Sequence, residues 1–107
     1  HAGYSPWDGD LDLQSTDTLM WVRGEFHNAI TPVDEKRTVV FGHSTMPGFG
    51  LKQSEIWESE VELLNSRPAA IGIDSCCYGG DDPQLTAFNL QTGDIVKQKL
   101  VKRKLTT

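Results

Sequence analysis

A chain of 107 residues and 11.9 kDa is one domain or part of one, and 37% hydrophobic composition with three Trp and four Phe supplies only a modest core. No apolar run approaches the roughly 20 residues that span a bilayer, so no membrane partner is expected. A formal charge of −5 opposes binding to duplex nucleic acid, and the adjacent Cys76 and Cys77 cannot build a disulfide framework.

Residues 1–15 are rich in Gly, Asp, Ser and Pro and read as a loop, with turns at Ser5-Pro6 and Asp8-Gly9. Ser15 or Thr16 can cap a helix running to about His27, because Leu19, Val22, Phe26 and Ile30 recur on one helical face. Pro32 stops it, since the residue before a proline is driven out of the α region. Thr38 to Phe41 is a short β-branched run, ending at Gly42-His43 and a loop with Pro47, Gly48 and Gly50. Residues 54–65 read as a second helix, with Trp57, Val61 and Leu64 on one face and four Glu on the other. Ala69 to Asp74 is a second strand. Leu85 to Leu90 and Ile95 to Val101 follow as a β-hairpin around Thr92-Gly93-Asp94, with Lys97 and Lys99 alternating outward. The expected fold is mixed α/β (α+β) in a single domain over 1–107. It has one small, mostly antiparallel or mixed sheet and two helices.

Charge is unevenly placed. All fifteen acids lie at or before Asp94, while five of the ten basic residues fall between Lys97 and Lys104. A basic end on an acidic body is expected to pair with that body. No Lys/Arg-rich start leads into an apolar stretch, so no signal peptide is visible and a cytoplasmic location is expected.

Few residues offer chemistry. His43 lies at the mouth of a Pro/Gly loop, where a neutral imidazole can ligate a metal, accept a proton or simply pack. His27, near a helix end, reads as structural or as surface. His1 reads as a loose terminus unless something engages it. Arg23 sits one residue off the apolar helix face; its fork suits a phosphate, or an ion pair with a nearby acid. The alternation of Asp8, Asp10 and Asp12 lacks the spacing of a calcium loop, and no Gly-x-Ser-x-Gly elbow occurs. Cys77 reads as an inert small side chain.

Four segments together resemble one family. His1-Ala2-Gly3-Tyr4-Ser5-Pro6 resembles the "HAG…P" motif of the calcineurin-like metallophosphoesterases. Met20-Trp21-Val22-Arg23-Gly24-Glu25-Phe26 resembles their "LWIRxEF" helix. Val39-Val40-Phe41-Gly42-His43-Ser44 resembles "VVFGHT", and Ile73 to Gly80 followed by Leu85-Thr86-Ala87-Phe88 resembles "IDTGxxYGG…LTAL". The likeness runs from His1 to about Lys99 and is greatest to bacterial and phage serine/threonine protein phosphatases and symmetrical diadenosine tetraphosphatases.

The resemblance implies phosphoester hydrolysis by a metal-activated water. His1 and His43 match metal ligands, Arg23 and His43 catalytic positions, and Arg23 and Tyr78 positions that hold the phosphorylated substrate. The implied cofactor is divalent, manganese first, with iron or zinc as alternatives. The family's "GDxHG", "GDxxDRG" and "GNHE" motifs do not occur, and Ser75-Cys76 replaces Thr-Gly. The chain therefore resembles the C-terminal half of the family's four-layer sandwich. It would expose an apolar face to a homo-oligomer partner or to the N-terminal half. Two other readings remain: an inert fragment without activity alone, and a small copper-binding module in which the His1 imidazole and α-amine join His43.

Overall fold

The computed structural model describes residues 1–7 and 9–101. The fold is mixed α+β, with two short helices and two small sheets in place of the expected single sheet. Ser15 caps α1 (Thr16–Trp21), its hydroxyl accepting the Thr18 N–H at 3.1 Å. The expected run to His27 is broken. Val22 turns extended (φ −58°, ψ 143°), and α2 (Gly24–His27) restarts after Arg23. Val22 and Gly24 are poor helix formers, so little local preference opposes the break. Both Val22 and Phe26 still reach the core across it.

The strand β1 (Val39–Thr45) pairs in parallel with β3 (Ala70–Asp74), placing Val40 opposite Ile71, and β2 (Trp57–Glu58) lies antiparallel on the other side of β3. Strand β1 outlasts its expected end at Phe41. It carries Gly42 and His43 through a register shift to Thr45.

The helix expected over residues 54–65 does not form. A helix would set Glu55 beside Glu58 and Glu58 beside Glu62, like charges at three- and four-residue spacing. The extended path spreads them. It also stacks Trp57 on Phe49 at 4.8 Å, buries Leu63 and leaves Leu64 wholly exposed.

The expected hairpin does form. β4 (Gln84–Phe88) pairs antiparallel with β5 (Ile95–Lys99), and Gly93 takes φ +78° in the connection. β5 ends at Lys99 rather than Val101. Lys97 is half-buried and does not follow the expected outward alternation, while Lys99 is exposed and lies 3.8 Å from Asp82. The remaining basic residues of that run, Lys102, Arg103 and Lys104, and Asp8 of the Asp8-Gly9 turn, lie outside the described residues.

The main core joins Ala2, Tyr4, Val22, Phe26, Phe41 and Ala70, with Phe49 and Trp57 packed against it. The first residues thus belong to the fold, not to a loose loop. The Ala2 N–H donates to the Leu19 carbonyl at 2.7 Å and the Gly42 N–H to the His1 carbonyl at 2.9 Å. Fourteen large apolar side chains are exposed among the described residues against ten buried hydrophobic ones, so much apolar surface stays uncovered. Among the described residues, no helix is long and apolar enough to cross a membrane.

Candidate functional site

The first strap of chain explains why two distant histidines meet. Its hydrogen bonds to Leu19 on α1 and to Gly42 on β1 lay His1 between the two elements. The His1 and His43 rings then stand 5.2 Å apart, centre to centre, at 56°. Two imidazoles sharing one ion at about 2.1 Å, with a tetrahedral angle between them, have centres about 5 Å apart. Among the described residues, His27 Nε2 and His43 Nε2 are both buried without a hydrogen-bond partner, and a cation shared with His1 would satisfy the second.

His43 also adopts φ +67°, in the left-handed region that side chains with a Cβ seldom enter. The bulge in β1 holds it there and turns its ring toward His1 and Trp21, whose indole meets it at 5.4 Å and 88°. Burial lowers the proton affinity of His43, and the Arg23 charge lowers it further, against the opposing pull of Asp74. The imidazole is therefore neutral at neutral pH, the form in which it ligates metals.

Arg23 occupies the helix break, and its Nη1 donates to the buried Ser44 hydroxyl at 3.2 Å. Among the described residues, the ion pairs are Arg37–Asp34 and Lys99–Asp82, so no described carboxylate neutralises Arg23. The alternative of a surface ion pair is thereby set aside for the described partners. An exposed guanidinium, fixed at one end beside the neutral His43 imidazole, is suited to an oxyanion.

Tyr78 is 84% exposed. Its hydroxyl holds its proton more tightly than usual, mainly through a hydrogen bond that it donates to the Cys76 side chain, with a smaller effect from Asp74. That places it on the rim formed by the loop after β3, with no ring contact to the histidine pair. In this loop Cys76 takes φ +55°, keeping a left-handed turn where the resembled motif has glycine. Cys77 is a free, exposed thiol.

His27 has a structural role. It stacks on Phe41 at 5.3 Å and packs against Phe49 and Trp57, and burial lowers its proton affinity. Sequence reading gave no role to Ser44, Trp21 or Asp74, although all three lie inside the motif-like segments; only the fold brings them to the site. A cavity of about 610 Å³ lies on the sheet face opposite Phe41, between Val40, Ile71 and the hairpin residues Phe88 and Leu90. It contains none of the candidate residues.

No protein-family model, curated protein or solved structure matches the chain. Among the described residues, no group of three or more His, Cys, Asp or Glu side chains could hold a metal. The two imidazoles supply two donors of a coordination sphere.

Proposed function

We propose that His1, Arg23 and His43 form part of a metal-dependent phosphoester hydrolysis site. The observation that carries this reading is the meeting of the His1 and His43 imidazoles at 5.2 Å beside an arginine with no described carboxylate partner. The four motif-like segments are consistent with it. A divalent ion, manganese in the first instance, would be held by the His1 and His43 imidazoles and would supply an acidified water and a Lewis-acid contact to the phosphoryl oxygen.

The chain's own residues do the rest. Arg23 binds the phosphate through the donors that Ser44 does not use, and its fixed charge offsets charge gathering on the equatorial oxygens. Ser44, itself buried, positions Arg23 by anchoring one end of the exposed guanidinium. Keeping His43 unprotonated preserves it as a ligand. Tyr78 stands on the rim, where it can touch the part of the substrate beyond the phosphate.

The test is hydrolysis of an aryl phosphate with and without manganese(II). The parent chain should release phosphate only with the metal. His43→Ala should abolish turnover, and Arg23→Ala should reduce it about 100-fold or more, the usual effect of losing a transition-state donor. Metal-independent hydrolysis, or turnover indifferent to both substitutions, would refute the proposal.

A further inference from the structure

Trp21 stands beside this site and takes no part in phosphoryl chemistry. It is the last residue of α1, and it is 67% exposed although it is one of the largest apolar side chains in the molecule. Other aromatics near it are differently treated. Phe26, Phe41, Phe49 and Trp57 pack on one another within the main core. Among the described aromatic rings, Trp21 instead pairs only with His43, at 5.4 Å and 88°. A perpendicular contact occupies at most one face of the indole and leaves the other to solvent.

The helix break explains the placement. Continuous helix would turn Trp21 and Arg23 about 200° apart around its axis. With Val22 extended and Arg23 at φ −132°, ψ −101°, the indole reaches His43 while the guanidinium reaches Ser44, the next residue along β1. The indole and the guanidinium thus flank neighbouring residues of β1, so an ester substituent on a phosphate bound by Arg23 would have the indole within reach. A flat ring attached through one ester oxygen falls within the range of about 4.5–7 Å at which aromatic pairs attract.

We propose that Trp21 is a stacking platform for the leaving or carrier group. The site would then select phosphoesters bearing a flat aromatic or heterocyclic ring over alkyl phosphoesters. This rests on the phosphoester reading of the same site and adds the substrate class to it. The ring is recognised by its face rather than by hydrogen bonds, so selection is for flatness and not for one particular heterocycle.

Two phosphonates isolate the ring's effect, because both carry the same anionic group and neither is hydrolysed. Titration calorimetry of the full chain with manganese(II) should show phenylphosphonate binding roughly three- to tenfold more tightly than methylphosphonate. Trp21→Ala should equalise the two, and Trp21→Phe should retain most of the preference. Arg23→Ala should weaken both ligands together. Equal affinities in the parent, or a preference that survives Trp21→Ala, overturn the platform and leave the phosphoester reading standing. Failure of both phosphonates to bind overturns both. If Trp21→Ala converts a dimer to a monomer in sedimentation and the preference persists, Trp21 covers a subunit contact and the platform is wrong.

Discussion

Gln53 organises the loop behind β3, and its removal has a cost that the structure lets us work out. The side chain is 6% exposed. Its Nε2 donates to the carbonyls of Ser75 (2.9 Å), Cys76 (3.2 Å) and Gly79 (3.0 Å), and its Oε1 accepts the Asp82 N–H at 2.9 Å. Two hydrogens serve three carbonyls, so with the Asp82 bond the side chain makes the equivalent of three full hydrogen bonds. At a net contribution near 1 kcal/mol each, Gln53→Leu should cost about 3 kcal/mol, and about 2 kcal/mol if water reaches the outer carbonyls. For a domain of this size that lowers Tm by roughly 10 °C or more.

Urea denaturation measures the loss, and amide exchange over residues 75–82 shows whether the loop opens. Gln53→Glu is the sharper variant. It keeps the shape but removes both donors and sets a carboxylate against three carbonyls, so at pH 7 it should destabilise at least as much as leucine. Near pH 4, where the carboxyl recovers one donor, part of the loss should return. A leucine variant within 0.5 kcal/mol of the parent, roughly the scatter of neutral surface changes, with unchanged exchange in that loop, would refute the reasoning.

Further outcomes follow from the two histidines. His43→Gly relieves the φ of +67° and should be about 1 kcal/mol more stable than His43→Ala, while both are inactive; equal urea midpoints would remove the argument for strain at the site. His27 is held neutral in the fold, its proton affinity lowered first by burial, then by Arg23 and His43. The unfolded chain binds the proton near pH 6.5 and the folded chain does not, so stability should fall as pH drops below that value. In His27→Phe, the pH dependence of Tm between pH 7 and 5 should flatten; an unchanged profile would place the sensitivity elsewhere.

Local signals were legible wherever the chemistry is local. Ser15 announces its own cap, and the turn chemistry at Gly93 with the alternation on either side announces the hairpin. What the sequence hides is decided by partners far along the chain. Trp57 and Leu63 fit either period, and only the open edge of β3 and the ring of Phe49 make their segment extended. The break after Trp21 is similarly silent, because Val22 is apolar at a position where either a helix or a turn would bury it. The candidate site divides in the same way. His1, Arg23 and His43 stand out by their flanking motifs, but their meeting depends on the first five residues binding across α1 and β1, which loop-like composition conceals. Ser44 and Trp21 carry no signal of their own.

The central claim is that His1 and His43, separated by 42 positions along the chain, act on one divalent ion. The most direct test is the imidazole NMR spectrum of the intact chain during titration with manganese(II), which broadens the signals of nuclei close to it. The account predicts that the His1 and His43 ring signals broaden together at the first additions. His43→Ala should abolish early broadening at His1. Early broadening at His1 that survives His43→Ala would contradict it.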